Sequence, residues 1–184
     1  MSAKHDPFEK IIAAAVEAVD LEIREIGANF AQGYESPIEH VFGTALWAHY
    51  KYILRSSDGI FVTWPAEQFE ERCEVLENAK LEPYFEYPVY ITSQFNIENM
   101  RVDFCLAHKN WRTGKVFRVV VECDGHNFHE RTKEQAAKDR KRDRVLQEMG
   151  FNVFRFTGSE LWRDPMGCAE QVAQFLSKKS CEKP

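Results

Sequence analysis

Two apolar runs tipped with acids constrain this chain most: RVDFCLAHK at 101–109 and VFRVVVECDG at 116–125. Each reads as a β-strand, and the short polar link NWRTGK joins them, a pattern that fits consecutive antiparallel strands. Asp103, Glu122 and Asp124 sit in runs otherwise dominated by valine, phenylalanine and small residues. A carboxylate in such a strand is costly to bury unless a positive group meets it. One divalent cation can meet several acids at once, so the pattern points to a metal-dependent hydrolase.

The rest of the composition sets bounds. A chain of 184 residues with 44% apolar and 29% charged side chains favours one soluble domain with a real core. No apolar run approaches the ~20 residues that a bilayer span requires. MSAKHDPFEK at the start lacks the apolar segment of a signal peptide, so a cytoplasmic location is the expectation. Cys73, Cys105, Cys123, Cys168 and Cys181 form no CxxC pair, which speaks against a zinc knuckle and against a disulfide framework. The net charge of −5 does not advertise a nucleic-acid binder, but residues 131–144, RTKEQAAKDRKRDR, hold seven Lys/Arg against three acids. Alone, such a run reads as a solvated helix face.

Apolar spacing predicts a helix over 7–26 (Phe8, Ile11, Ile12, Ala15, Val19, Ile23, Ile26) ending before Gly27, a second over 36–54 and a third over 65–80. Strands follow near 85–97, 101–109 and 116–124. A long helix over 132–149 stops at Gly150, FNVFRF at 151–156 is a fourth strand, and a short turn leads to a last helix. Hairpin-linked strands followed by a helix and another strand imply an α/β (α+β) chain with a mixed sheet flanked by helices. The tail CEKP is expected to fray.

Several residues beside the acids carry chemical meaning. In Ser36-Pro37-Ile38-Glu39, serine can cap a helix, proline can open it and Glu39 can close a capping box. Glu39 also shares a stripe with Phe42, Leu46, Tyr50 and Ile53, so it faces the core and can approach the strand acids. Strand alternation puts Asp103 with Arg101 and Cys105 on one side, and Val102, Phe104 and Leu106 on the other; a buried Asp–Arg pair is the plain structural account. Glu122 and Asp124 share a face, although Asp124-Gly125 reads equally well as a turn. His126 and His129 follow at once. With an unperturbed pKa of about 6.5, a histidine there can act as a general base. Asp139, Arg142, Leu146 and Met149 fall on one helix face that the apolar pair turns inward. An inward Asp–Arg pair suits orienting a histidine or holding a phosphate.

Taken in order, these residues resemble the restriction-endonuclease-like superfamily, the PD-(D/E)XK nucleases, and within it the very-short-patch-repair-like branch and its uncharacterised bacterial relatives. The carrying motifs are the helix Glu39, Gln94 with Arg101-Val102-Asp103-Phe104, Glu122-Cys123-Asp124-Gly125 leading to His129, Asp139 with Arg142, Leu146 and Gly150, and Arg155-Phe156. The likeness spans 36–156. It implies one endonuclease-like domain, with a mixed four-stranded sheet as core, an N-terminal helical extension over 1–35 and a C-terminal helix over 157–180. Residues 55–83 read as an insertion. The lysine of the superfamily's ExK element is absent, and Asp124 stands in its place. A histidine base therefore takes its role, as in the histidine-bearing EDxHD branch, with His129 or His126 filling it.

The resemblance implies an Mg²⁺- or Mn²⁺-dependent endonuclease acting on DNA. Asp103 and Glu122 are the expected ligands, helped by Glu39 and, least securely, by Asp124. His129 accepts the proton and Asp139 orients it. Arg131, Lys133, Lys138, Arg140, Lys141, Arg142 and Arg144 meet the phosphate backbone; Gln94 and Arg155 are further candidates. The alternatives are a nucleic-acid-binding module of the same fold that no longer cuts, and a small-molecule metallohydrolase. Neither target sequence nor oligomeric state is legible.

Overall fold

A computed structural model describes residues 7–30, 34–53, 61–63, 65–80, 88–125 and 133–183. The elements are α1 (Pro7–Phe30), α2 (Pro37–Ala48), a π-helical turn (His49–Ile53), β1 (Phe61–Thr63), α3 (Ala66–Asn78), β2 (Val89–Ile97), β3 (Met100–Lys109), β4 (Val116–Asp124), α4 (Lys133–Glu148), β5 (Asn152–Thr157), α5 (Gly158–Arg163) and α6 (Pro165–Ser180). The strands form one mixed sheet in the order β1-β2-β3-β4-β5. β2, β3 and β4 are antiparallel neighbours, while β1 runs parallel to β2 and β5 parallel to β4. β2 to β5 are the four strands that the apolar runs predict, and α4 is the crossover that a parallel β4–β5 pair requires.

The two faces of the sheet bury different helices. Val119, Val121 and Cys123 of β4 pack with Phe42 and Leu46 of α2, Leu161 of α5 and Val172 and Leu176 of α6. Val120, between them in sequence, packs with Phe69 and Cys73 of α3 and Leu146 of α4. This alternation is what a strand buried on both faces shows.

Several boundaries differ from the sequence expectation, each for a local reason. α1 runs through Gly27 to Phe30, since a single glycine weakens a helix without ending it. Of its predicted apolar stripe, Ile11 and Ile12 are more than half exposed, as are Val16 and Leu21 outside that stripe. The helix expected over 36–54 turns π-helical at His49, where Tyr52 donates to Glu22 of α1 at 2.5 Å and Lys51 pairs with the same carboxylate. Residues 55–83 are more than an insertion: they supply β1, and α3 buries Phe69, Cys73 and Leu76 under the sheet. The short turn near 158 is helix α5, opened by a capping box between Thr157 and Glu160.

The C-terminal tail is held. Asn110, buried in the β3–β4 link, donates to the carbonyls of Lys179 and Glu182 at 2.7 and 2.9 Å. Its own side-chain oxygen accepts from the backbone of Arg112 and Thr113. Trp111 N–H and Arg112 Nε donate to Ser180 and Cys181, each at 2.9 Å. The link therefore clamps the end of α6, and this explains the order at Cys181 and Glu182.

Candidate active site

The site forms where the sheet splits. β3 and β4 pair from Lys109↔Val116 to Phe104↔Val121 and no further. The next position along would set Asp103 beside Glu122. There the Asp103 side chain takes over, and its Oδ2 accepts from Cys123 N–H at 2.7 Å. β4 meanwhile stays paired with β5 as far as Asp124↔Thr157. A carboxylate thus replaces a backbone rung, and both acids stand at the mouth of the split.

On the other side of Asp103, β2 is distorted as well. Ser93↔Phe104 and Phe95↔Val102 are paired, but the position between them is skipped. Gln94, which occupies it, has φ +52, a left-handed conformation that a non-glycine residue adopts at a cost of about 1–3 kcal/mol. The distortion overturns the simple alternation expected for β3. Val102 packs with Phe95, Ile97 and Cys105, whereas Phe104 and Leu106 lie with α2 and α6. The strand changes sides at Asp103.

Glu39 links the α2 cap to the site, but only half of a capping box forms among the described residues: Ser36 Oγ accepts from Glu39 N–H at 3.4 Å, while the Glu39 carboxylate binds groups other than the Ser36 N–H. It is buried in the first turn of α2, where its Oε1 accepts from the Ser36 hydroxyl at 2.6 Å. Oε2 accepts from Glu35 N–H at 3.2 Å and from Gln94 Nε2 at 2.7 Å. The capping motif and the site are therefore one network, running from the α2 N-terminus through Gln94 to the Asp103 position.

Two arginines meet the acids. Arg142 of α4 sets Nη2 2.7 Å from Glu122 Oε1 and donates to the carbonyl of Arg101. Glu122 Oε1 has no directed hydrogen-bond partner among the described residues, so the contact is one of charge. Arg155, which lies beside Glu122 in the β4–β5 register, donates to Asp124 Oδ1 at 2.9 Å and to Asp143 at 2.7 Å. Arg101 itself pairs in a fork with Glu35 at 2.6 and 2.8 Å, so the expected Asp103–Arg101 pair does not form.

Burial decides the protonation of the acid pair. Desolvation pushes Asp103 up to about 6, with Glu39 and Asp124 adding to it, against the Cys123 hydrogen bond and Arg142. Glu122 goes up to about 7 through desolvation and Asp103, against Arg142 and Arg155. Such perturbed carboxyls mark functional sites more often than scaffolds. Burial and the surrounding acids also push the Cys123 thiol up, which makes it a poor nucleophile.

Among the described residues, no three His, Cys, Asp or Glu side chains converge as a ready metal cluster. The donor set here is the Asp103–Glu122 pair, with Glu39 engaged by hydrogen bonds and Asp124 turned toward Arg155. This fits Mg²⁺, which commonly takes one or two carboxylates and keeps several waters, better than a cation that needs an all-protein cage.

Of the predicted histidines, His126 and His129 lie outside the described residues, as does Arg131. α4 begins at Lys133 and carries Lys138, Arg140, Lys141 and Arg144 on exposed positions. Asp139 and Arg142 are half-buried and Leu146 is fully buried, as the inward face requires. Met149 is 38% exposed: the helix ends at Glu148, and Gly150 with φ +90 leads the chain away. Sequence reasoning missed Asp143 and the Glu35 partner of Arg101. Asp143 neighbours Arg142 within the basic run and was hidden by it.

No curated protein and no solved structure matches the chain significantly. Residues 86–176, from just ahead of β2 into α6, match the family REase_MTES_1575, a restriction endonuclease-like family, and over that stretch the chain is similar to the PD-(D/E)XK-like superfamily.

Proposed function

We propose that the chain is a divalent-metal-dependent endonuclease that hydrolyses DNA phosphodiester bonds, of the very-short-patch-repair-like kind with a histidine base. The observation that carries this reading is the Asp103–Glu122 pair at the split of β3 and β4, inside a segment that matches a restriction endonuclease-like family.

In this reading Asp103 and Glu122 hold Mg²⁺ or Mn²⁺. When bound, such an ion lowers the pKa of water and balances phosphoryl charge. Glu39 assists through the Gln94 network, and Asp124 is fixed by Arg155 at the edge of the site. His129, or His126, takes the proton from the attacking water, with Asp139 orienting the imidazole. Arg142 meets the scissile phosphate. The exposed Lys138, Arg140, Lys141 and Arg144, with Arg131 and Lys133 at the start of the basic run, contact the backbone without reading sequence. An acidic chain can bind DNA in this way because the local field at the cleft governs approach, not the total charge.

Incubation with supercoiled plasmid tests the reading. Nicked or linear product should form with Mg²⁺ or Mn²⁺ and vanish with chelator or in Asp103→Ala. No product with either ion, together with DNA affinity that ignores both the ion and Asp103→Ala, would leave a binding module in place of an enzyme.

A further inference from the structure

Arg142 and Arg155 face the same acids but are held very differently. Arg155 is clamped from two sides, with Nη1 on Asp124 and Nη2 on Asp143, and its side chain is 19% exposed. Arg142 makes both of its described contacts through the single nitrogen Nη2, to Glu122 and to the Arg101 carbonyl. Its Nη1 takes part in neither contact, its Nε is buried without a hydrogen-bond partner among the described residues, as is that of Arg155, and its side chain is 31% exposed. A guanidinium carries five donors in a fixed fork and suits bidentate phosphate recognition. Here neither Nη1 nor Nε takes part in those contacts, and the partly exposed side chain lies above a buried carboxylate.

We infer that Arg142 is an exchangeable counter-charge: it neutralises Glu122 in the free protein, opposes divalent cations there, and moves to a DNA phosphate when substrate arrives. The inference rests on the metal-site reading of Asp103 and Glu122. A buried carboxylate left without a partner is costly, so an internal cation keeps the free site tolerable. The same cation repels an incoming metal ion across a short distance. A phosphate that draws the guanidinium away frees Glu122 for the ion. Metal and DNA affinities are then linked, and the linkage is reciprocal. Arg155 takes no part, because leaving would abandon two carboxylates at once.

The test is Mn²⁺ binding, followed by calorimetry or by the electron paramagnetic resonance of the free ion, with and without a short phosphorothioate duplex. In the absence of DNA, Arg142→Met should bind Mn²⁺ about five- to twentyfold more tightly than wild type, the lower part of the range of a typical coupling between sites. Arg142→Lys, which keeps the charge, should stay within about twofold of wild type on the same reasoning. The duplex should tighten Mn²⁺ binding less in Arg142→Met than in wild type. If Arg142→Met does not fold, Arg142→Gln removes the same charge and carries the same expectation. Mn²⁺ affinity in the charge-removing variants that is unchanged or weaker overturns the role of Arg142. If at the same time Asp103→Ala abolishes binding, the metal site itself still stands. Wild-type protein that binds no Mn²⁺ in either condition removes the metal-site reading on which the inference rests.

Discussion

Glu122 sets a clear pH dependence. Burial outweighs its Arg142 contact and pushes its carboxyl up to about 7 from an ordinary 4.5. The folded, ion-free protein therefore holds this proton more tightly than the unfolded chain does. The associated stability is full below about 4.5 and is lost as pH rises through about 7. Glu122→Gln, in chelator, should flatten that slope and exceed wild type by about 1–3 kcal/mol at pH 8, as read by urea unfolding at pH 5 and pH 8. Equal slopes in the two proteins would contradict the assignment. The acids themselves stand out in the sequence, because Asp103 and Glu122 interrupt runs of buried residues. Their arginine partners are named from the sequence without these pairings. Arg142 reaches Glu122 from a helix and Arg155 reaches Asp124 from a parallel neighbour, and both pairings follow from register and packing that no local spacing encodes. The left-handed Gln94 is hidden for a different reason: glutamine carries no mark of a positive φ, and only its hydrogen bond to Glu39 accounts for it.

At the scale of elements, α3 owes its place to a buried lysine. Lys109, at the end of β3 and 1% exposed, donates through Nζ to the carbonyls of Leu76, Glu77 and Ala79 at 2.9, 2.8 and 2.6 Å. The Leu76 carbonyl also accepts from Ala79 N–H at 3.4 Å; those of Glu77 and Ala79 lie where a helix C-terminus leaves acceptors without helical partners, and a cation there also complements the helix dipole. Arg118 of β4 ties the same helix from its side through Glu70. Lys109→Met should cost about 2–4 kcal/mol by leaving those carbonyls buried and unsatisfied, and exchange of the α3 amides should quicken before that of β3. A cost below about 0.5 kcal/mol, the size of an ordinary surface change, would contradict the capping role. The helix itself is legible from its spacing, but its place in the core is not. Phe69, Cys73 and Leu76 are spaced as any amphipathic helix spaces them, and nothing local says which sheet receives them. The end of α4 is legible from Gly150. Its backbone makes the paired bonds expected of a left-handed cap, Gly150 N–H to Gln147 and Phe151 N–H to Leu146.

For the whole molecule, the sheet order places the acid pair where β4 leaves β3 and keeps β5, with α2 reaching it from one side and α4 from the other. Helix α4 therefore serves both ends of the proposed chemistry: Arg142 faces the acids, while Lys138, Arg140, Lys141 and Arg144 face solvent. β2, β3 and β4 are legible because buried strands need apolar runs, and edge strand β5 because FNVFRF follows a helix stop; β1 is three residues long, too short for any periodicity. The role proposed for the Asp103–Glu122 pair is that of a nuclease's catalytic centre. It is tested most directly by plasmid cleavage in Mn²⁺ by Glu122→Ala, compared with wild type after circular dichroism has established the same fold. The predicted result is a loss of at least about a thousandfold in rate, on the order of 4 kcal/mol of transition-state stabilisation; cleavage at the wild-type rate would contradict the account.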